Sequence, residues 1–473
     1  MTTRQRNGRC GITACMLGLV ASVGLGASTL HVASAGSNES PYDTWAKAAT
    51  DLKAAVDLAN TYNNGSTVLV SNGTYTVTAE IPINNTAVRG FGGQREAVVV
   101  DGGAATRPFH LNHASAVLAD LTVSNGLAAS GSLSGNGGGV YLNVAGSLLT
   151  NCVVTHCTAA GSAGGVFLNK GVVRGCLIAC NTANGTAART VGGIQVNSDM
   201  QIFDCVVSNN TALNTASAIG GVYLVTRSVI SNSTVFGNTG VGAGGVGTYY
   251  YALLAHCKIL GNSASNATAN ADSGGGVGTS YSSTLRNCLV ADNVCRAVYR
   301  GAGGVRGVKQ NSDSGRLAIE GSTVVSNAYY KIGTSGIGAG GVFLSGSNYM
   351  SGCIVYTNTS TTGSTWYDVG INSADRFNTN NYVNNCVRYA TYVLPPHLGN
   401  IKDDPRFAAP GSGNYRLTKL SPCINAGTNL SWMADARDLD GNPRIDALNG
   451  SVPDIGAYEF TVGPPPGTAL VIR

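Results

Sequence analysis

Residues 138–157 read "GGVYLNVAGSLLTNCVVTHC", and residues 220–238 repeat the same skeleton as "GGVYLVTRSVISNSTVFGN". A glycine pair followed by Val or Ile recurs along the chain, and the second glycines of these pairs are Gly139, Gly165, Gly193, Gly221, Gly245, Gly276, Gly304 and Gly341. Most of these glycines are 24 to 31 residues apart. Self-similarity at such a period predicts one solenoid of stacked repeats rather than several globular domains.

A second column of equivalent positions follows each glycine pair, in most copies twelve residues after the second glycine. Its members are Cys152, Cys176, Cys205, Ser233, Cys257, Cys288, Ser322, Cys353 and Cys386. In most copies an aliphatic residue precedes the member by three and another follows it by two, as Leu285 and Val290 flank Cys288. This alternation predicts strands with small, buried Cys or Ser side chains rather than disulfide partners. Cys157 and Cys180 are interpreted as lying off the column, and they would pair if adjacent turns brought them close.

A column of asparagines lies five residues beyond the Cys or Ser column: Asn181, Asn210, Asn238, Asn262, Asn293, Asn327 and Asn358. Asparagine tolerates the left-handed backbone of a tight corner, and its amide can bond the same group in the turns above and below. The alternative is a row that binds sugar hydroxyls. Because the asparagine recurs at a turn in every copy, we favour a structural ladder.

Strands that recur without intervening helices must stack as successive turns of one coil, which predicts an all-β, parallel β-helix. Its first turn needs a cover. The stretch "SPYDTWAKAATDLKAAVDLANTY" (40–62) predicts an N-terminal capping helix whose apolar face holds Trp45, Ala49, Leu52, Val56 and Ala59. Strands are expected within residues 67–77 and 96–103.

The N-terminus is typical of a signal peptide, because Arg4, Arg6 and Arg9 precede a short apolar run at residues 10–27. That run is too short for a membrane span, so we expect a secreted or cell-surface protein that has no membrane span once the signal is removed. We also expect the protein to be a monomer. The net charge is +5 and the basic residues are scattered, so the sequence shows no basic patch that would bind nucleic acid. The predicted divisions are 1–27 signal peptide, 28–104 cap and first turns, 105–395 repeats, 396–460 end region and 461–473 tail.

Several segments carry a resemblance to a known family: residues 29–59, residues 68–77, the repeats themselves, "DDPRFAAPGSGNYRLTKLSPCINAGTN" (403–429) and "DLDGNPRIDALNGSVPDIGAYEF" (438–460). The chain resembles secreted bacterial right-handed parallel β-helix proteins of the pectate-lyase-like superfamily, and its last segments are similar to a choice-of-anchor Q region. The resemblance implies a right-handed coil and export. It leaves activity open, because the superfamily includes lyases, hydrolases, epimerases and adhesins. The tail after Phe460 lacks an apolar anchor, so the mode of attachment stays open.

A lyase would need two or three carboxylates around a calcium ion, together with an Arg or Lys as base. Between residues 121 and 360 the acids are Asp199, Asp204, Asp272, Asp292, Asp313 and Glu320. In the repeat register these acids occupy different columns, and Glu320 shares its column with Arg286. We therefore expect an ion pair there, no catalytic centre and no cofactor. A polysaccharide lyase or related carbohydrate-active enzyme remains the alternative function.

The end region is rich in acids: Asp435, Asp438, Asp440, Asp446 and Asp454. Its "DLDGN" is similar to half of a calcium loop, but no bidentate Glu stands at the required spacing. Because Arg437 and Arg444 are close in sequence, we expect a charged, hydrogen-bonded region and no metal site.

The position after each inward Val or Ile is expected to face outward, and it holds Tyr141, Phe167, Gln195 and Tyr223 in four successive turns. Tyr249, Tyr250 and Tyr251 continue the aromatic pattern beyond it. One interpretation is a platform that binds a polysaccharide or cell-surface glycan. The other, which we rank ahead, is a stacking ladder or a row covered by neighbouring loops. Non-catalytic binding of a glycan or of another extracellular surface partner is the function that we expect.

Overall fold

The structure is a computed structural model, and it describes residues 26–461 except 132, 187–188, 267–272, 308–315, 333–336, 346–347, 362–366, 372–377 and 446–450. The chain forms a parallel β-helix. Each turn adds one short strand to each of up to four long sheets, and within these sheets neighbouring strands from successive turns pair in parallel. The predicted fold class is confirmed. The predicted signal peptide lies almost entirely outside the described residues.

Two sheets start near the N-terminus. The first sheet contains Thr29–Val32, Ser66–Val70, Thr86–Gly90, Val117–Ala119, Leu148–Thr150, Val172–Arg174, Gln201–Phe203, Val229–Ser231, Ala252–Ala255, Ser283–Arg286, Leu317–Glu320, Tyr349–Ser351 and Tyr382–Val383. The second sheet contains Gly73–Thr76, Val98–Asp101, Thr122–Ser124, Val153–Thr155, Leu177–Ala179, Val206–Ser208, Thr234–Phe236, Lys258–Leu260, Leu289–Ala291, Thr323–Val325, Ile354–Tyr356 and Cys386–Val387.

Two further long sheets complete the turns. The third sheet contains Ile81–Ile83, Phe109–Leu111, Val140–Leu142, Val166–Leu168, Ile194–Val196, Val222–Leu224, Val246–Thr248, Val277–Thr279, Val305–Gly307, Val342–Leu344 and Val369–Ile371. The fourth sheet contains Leu127–Ala128, Thr158–Ala159, Thr182–Ala183, Thr211–Ala212, Thr239–Gly240, Ser263–Asn266, Val294–Ala297, Ala328–Lys331 and Thr359–Ser360.

Shorter elements fill the corners and the C-terminal region. A small parallel sheet contains Ser273–Gly274, Gly301–Ala302 and Gly338–Ala339, and an antiparallel pair contains Phe407–Ala409 and Asn414–Leu417. The 3-10 helices are Leu133–Gly135, Thr379–Asn381, Pro396–Leu398, Pro410–Ser412 and Ser431–Met433.

The α-helix of the described chain is Leu52–Tyr62, so the prediction that it begins near Ser40 is wrong. Asp51 caps the helix, because its carboxylate accepts a 2.8 Å hydrogen bond from the backbone N–H of Lys53. Val56 is one of the helix residues buried in the apolar core of the first turns, as a capping helix requires. No described helix is long and apolar enough to cross a membrane.

Two residues predicted for the helical face lie before the helix. Ala49 forms a parallel bridge with Val32, beside the first sheet. The ring centroid of Trp45 lies 4.5 Å from that of His31 and 4.8 Å from that of Phe91. These residues therefore extend the sheet edge and its aromatic cover instead of the helix.

The inward columns are confirmed. Val or Ile after each glycine pair is fully buried, and so are Leu285, Cys288 and Val290. The column serines have an additional role, because the hydroxyl of Ser322 accepts a 3.0 Å hydrogen bond from the backbone N–H of Cys288 one turn earlier. Small residues in this column thus fill the core and, where they are serines, also bond adjacent turns.

One column assignment and one suggested pairing are wrong, whereas Cys157 does lie off the Cys or Ser column as predicted. Cys386 pairs in register with Ile354, whereas Asn385 accepts the backbone N–H of Cys353, so the column passes through Asn385. Cys157 stands in the asparagine column, where its own N–H bonds the Oδ1 of Asn181 at 2.9 Å. The suggested pairing with Cys180 fails because Cys157 is buried and Cys180 is exposed at a corner. The eleven cysteines of the described chain are free thiols.

The asparagine ladder is confirmed, but the left-handed residue is the one before each asparagine, such as Cys180 (φ 57°) before Asn181. Each side-chain Nδ2 donates to the Oδ1 of the next asparagine at 2.9–3.0 Å. The same Oδ1 also accepts the backbone N–H of the previous ladder residue, as in Asn210 to Asn238. Because the ladder is buried, it is unavailable to sugar hydroxyls.

Close approach between turns explains the glycine pairs. A Cβ atom on Gly164 would lie 2.5 Å from the carbonyl oxygen of Gly192. A Cβ atom on Gly165 would lie 2.8 Å from the Nδ2 of the ladder residue Asn181. The pair is therefore required because the backbones of adjacent turns and the ladder amides occupy the space that any side chain would need.

The C-terminal region packs along the flank of the coil as well as its end. Asn287 donates through Nδ2 to the carbonyl of Arg437 at 2.9 Å. The N–H of Ala457 donates to the hydroxyl of Thr323 at 2.9 Å, and Asn384 donates to a carbonyl of the same region. The region thus contacts successive turns from Asn287 to Asn384, about 100 residues of coil.

Candidate functional site

The predicted aromatic stripe forms in register but is covered. Tyr141, Phe167, Gln195 and Tyr223 occupy the middle position of neighbouring strands in the third sheet. The rings of Tyr141 and Phe167 stack with centroids 5.1 Å apart and planes 10° apart. Yet Tyr141, Phe167 and Tyr223 are only 8%, 7% and 6% exposed. These three rings are therefore packed beneath neighbouring segments, which is the interpretation ranked ahead of an open platform.

Loops explain this burial. Ala163, in the segment before a glycine pair, packs against Tyr141 and Phe167 in one apolar cluster. Equivalent loop residues, Ile219 and Ala243, pack with Tyr223 in another. The side chains stand outside the main core, as strand alternation predicts, but the preceding loops fold over them. A sugar ring has no access to these aromatic faces in this structure.

The three consecutive tyrosines have a different environment. Tyr250 stacks on Tyr281 of the next turn, with ring centroids 3.8 Å apart and planes 21° apart, and Tyr249 meets both rings edge-on. Tyr251 lies 6.0 Å from Tyr250 and is 64% exposed. We call Tyr249, Tyr250, Tyr251 and Tyr281 the aromatic corner. It lies at the turn between the third and first sheets.

Arg189 connects the buried stripe to the aromatic corner. Its guanidinium donates a hydrogen bond to the hydroxyl of Tyr223, and its Cζ lies 4.6 Å from the ring centroid of Tyr249. Burial raises the pKa of the Tyr223 phenol, and the neighbouring charge of Arg189 opposes that rise. The cation thus packs against the Tyr249 ring and restricts its orientation.

Polar residues flank the aromatic corner along the coil. The N–H of Arg227 donates to the carbonyl of Tyr250 at 2.8 Å, and the N–H of Tyr251 donates to the carbonyl of Ser282. In the following turn the N–H of Arg316 donates to the hydroxyl of Ser282 at 3.0 Å. Arg227 and Arg316 are both exposed. Two exposed arginine side chains therefore lie on either side of the aromatic corner, and the guanidinium of Arg227 also pairs with Asp199.

Carboxylates of the repeats do not converge in the described chain. Glu320 pairs with Arg286 at 2.9 Å, as its column predicted. Asp199 pairs with Arg227 at 2.6 Å, and Asp204 accepts a hydrogen bond from Asn232. Asp272 and Asp313 lie outside the described residues. Within the part that the structure describes, no three His, Cys, Asp or Glu side chains are grouped to hold a metal ion.

The acid-rich end is hydrogen-bonded, but partly by unexpected partners. Asp438 accepts the backbone N–H groups of Asp440, Asn442 and Glu459. The fully buried guanidinium of Arg444 lies 3.0 Å from a carboxylate oxygen of Glu459 rather than an aspartate.

Other end-region charges follow the same pattern. Asp440 pairs with Arg416, and Arg437 donates to the carbonyl of Gly441. Asp446 lies outside the described residues. The predicted arginine partners are thus only partly correct, because chain segments distant in sequence meet here.

Sequence reasoning missed a cleft at the C-terminal end of the coil. One cavity of about 540 Å³ is lined by residues that include Tyr367, Tyr389, Arg388 and Lys402. A second cavity of about 460 Å³ shares Arg388. These residues lie between or after the last strands and belong to no repeat column, so periodicity gave no signal for them.

No protein-family model and no curated protein matches the sequence. Among solved structures, the chain is similar to pectate lyase Pel9A, with 14% identity and a TM-score of 0.45 over 92% of this chain and 98% of that one. It is also similar to a mannuronic acid specific family 6 polysaccharide lyase from human gut microbiota, with 13% identity, a TM-score of 0.31 and coverage of 70% and 84%. Escherichia coli YbhC matches with 11% identity, a TM-score of 0.25 and coverage of 81% and 88%. Likenesses at this level carry no information on activity.

Proposed function

We propose that the chain is an exported, non-catalytic β-helix protein that binds a glycan at the aromatic corner. The observation that carries the proposal is the stacked pair Tyr250 and Tyr281 beside the exposed ring of Tyr251. Sugar rings present C–H faces to aromatic rings, and neighbouring polar groups provide orientation. Arg227 and Arg316 supply such groups on either side.

The rigid setting of the rings supports the proposal. Tyr249 is held by the Arg189 guanidinium, and Tyr250 is held by stacking on Tyr281. Binding therefore requires little ordering of these side chains, which lowers the entropic cost of association. Tyr251 alone projects far into solvent and would make the outermost contact.

A glycan array on the wild-type protein, followed by calorimetry with the best ligand, tests the proposal. Replacing Tyr250 and Tyr251 by Ala should weaken binding by about 1–3 kcal/mol in total. Tyr330→Ala is the matched control, because Tyr330 is a 40% exposed tyrosine on the fourth sheet. Absence of any glycan ligand, or equal weakening by the control, contradicts the proposal.

The alternative of a polysaccharide lyase is tested in parallel. Pectate and alginate are incubated with the protein, with and without calcium, and unsaturated products are followed by their ultraviolet absorbance. We expect none, which is supported by the separate pairing of Glu320 and Asp199 with arginines. A calcium-dependent rise that persists through purification would favour the enzyme.

Export is the part of the proposal that rests on sequence alone. The basic and apolar pattern of residues 1–27 supports it. N-terminal sequencing of protein recovered from the culture medium should give a start near Ser28. Retention of an uncleaved chain in the cytoplasm would contradict it.

A further inference from the structure

The C-terminal cleft combines aromatic rings with cations at one place. Arg388 follows the last strand of the second sheet, next to Tyr356 of the preceding strand, because Val355 pairs in register with Val387. Its Cζ lies 4.7 Å from the ring centroid of Tyr389 and 6.0 Å from that of Tyr356. Strand register therefore places one guanidinium between two tyrosines.

Both cavities of the cleft open onto this guanidinium. Tyr367, Tyr392 and Lys402 line the larger cavity, and Arg406 and Asp404 line the smaller one. The larger volume lies within the range of about 300–1,000 Å³ that is usual for small-ligand sites. The cleft thus has the dimensions of a binding site rather than of a packing defect.

Basic side chains outnumber acidic ones in the lining of the cleft, and the buried carboxylate of Asp368 lies close enough to Arg388 for the two charges to interact. Arg388, Lys402 and Arg406 are exposed, and none forms a salt bridge with a carboxylate among the described residues. Asp404, the acid that lines the cleft, accepts the backbone N–H of Arg406 at 2.8 Å. A cleft lined by cations concentrates anions from solution.

The aromatic side chains restrict the class of anion. A guanidinium binds carboxylate or sulfate through paired hydrogen bonds, whereas tyrosine faces bind the apolar face of a ring. A simple inorganic anion would use only the cations. A saccharide unit that carries a carboxylate or sulfate would use both features at once.

We infer that the C-terminal cleft binds an anionic saccharide, with its acidic group on Arg388 and Lys402 and its ring against Tyr389. This site is separate from the aromatic corner, because three to four turns lie between them, about 15–20 Å along the coil. The inference does not depend on the proposed function. The two sites are tested with different ligands and different variants.

Calorimetry with three tetrasaccharides tests the inference: one built of galacturonate, one sulfated and derived from heparin, and one neutral and derived from cellulose. At least one anionic probe should bind, and its affinity should fall as salt is raised. Arg388→Gln and Lys402→Gln should each weaken that binding about 10- to 100-fold, the range expected when a charge-assisted hydrogen bond is lost. The preferred anionic probe identifies whether the acidic group is a carboxylate or a sulfate.

Arg296→Gln is the matched control, because Arg296 is exposed and its Cζ lies 5.0 Å from the ring centroid of Tyr330, away from the cleft. It removes the same charge and should leave affinity unchanged. Tyr251→Ala should also leave it unchanged. Thermal unfolding of each variant confirms folding.

The neutral and anionic probes are also compared in the Tyr250→Ala, Tyr251→Ala double variant, in which glycan binding at the aromatic corner is weakened. Three results overturn the inference: no binding of either anionic probe, equal affinity for the neutral probe in that double variant, or equal weakening by Arg296→Gln. Because the aromatic corner is removed from the comparison, the two proposals fail separately.

Discussion

Asn358 donates two hydrogen bonds to one carboxylate oxygen of Asp368, from its backbone N–H at 2.8 Å and from its Nδ2 at 3.0 Å. Val369 pairs in register with Val342, so Asp368 stands where the preceding turn has Gly341. Its side chain reaches from this glycine position into the next place of the asparagine ladder. A carboxylate therefore accepts the last amide donors of the ladder.

Replacing Asp368 by Ala should leave the backbone N–H of Asn358 without its acceptor, while the Nδ2 keeps the carbonyls of Val324 and Tyr356. Each buried, unsatisfied group costs about 1–3 kcal/mol, so we expect a clear loss in the free energy of unfolding. Asp368→Asn retains the accepting oxygen and should be at least as stable as wild type at pH 7. Urea denaturation of both variants measures this, and equal loss in both would contradict a ladder role.

The stability of the wild type should depend on the titration of Asp368. Burial raises the pKa of this carboxyl to about 6, although hydrogen bonds from Asn358 oppose the rise. Because the folded state then holds the proton more tightly than the unfolded state, protonated Asp368 contributes to the free energy of unfolding. This stabilisation is fully present below the unfolded pKa and is lost as pH rises through about 6. Denaturation from pH 4 to pH 7 should show a smaller loss in Asp368→Asn than in wild type, and the remaining loss is expected from Glu459, because burial raises the pKa of that carboxyl to about 8.

Glycine pairs should not tolerate even alanine. A Cβ atom on Gly192 would lie 2.5 Å from the carbonyl oxygen of Gly220, so Gly192→Ala should cost about 3 kcal/mol or more. Gly411→Ala is the control, because nothing lies within 4 Å of its Cβ position. Thermal unfolding of the two variants should differ, and similar midpoints would show that the turns can separate easily.

Thiol reactivity should separate the corner cysteine from the core cysteines. Alkylation of the native protein followed by peptide mapping should label the exposed Cys180 and leave Cys205 and Cys257 unmodified. After denaturation all three should react. Rapid native labelling at Cys257 would show that its column does not face the core.

Aromatic residues of the stripe and of the corner should respond in opposite ways. Phe167→Ala should lower stability by about 3–5 kcal/mol at most, because a packed ring under a loop is removed, and should leave glycan binding unchanged. Tyr251→Ala should leave stability nearly unchanged and weaken binding. Denaturation and calorimetry on both variants provide the comparison, and weakened binding in Phe167→Ala alone would reverse the assignment.

The sequence predicted those parts of the fold that repeat. The prediction is correct for Val140 and its equivalents, for the column around Cys288 and for the ladder from Asn181 to Asn358. Each copy in these columns contacts its equivalent in the next turn, so the same residue type is required in both. Their periodicity records direct contact between turns.

Segments that do not repeat along the chain could not be placed from sequence periodicity. The loop that covers Phe167 varies in length between copies, so its position over the stripe left no pattern. Asp368 is only ten residues from Asn358 and stands in the glycine column, so spacing did not identify it as a ladder member. Arg388 meets Tyr356 only through the register of the last strands, and no local motif marks that contact.

The C-terminal region also alters how the coil should yield to mechanical force. In a stack where each turn touches only its neighbours, pulling on the last turn peels the turns away one at a time. Here the segment that contains Arg437 and Ala457 is fastened to the separate turns of Asn287 and Thr323. A pull at that end therefore loads several turns in parallel, and they should detach together at a higher force rather than in small successive steps.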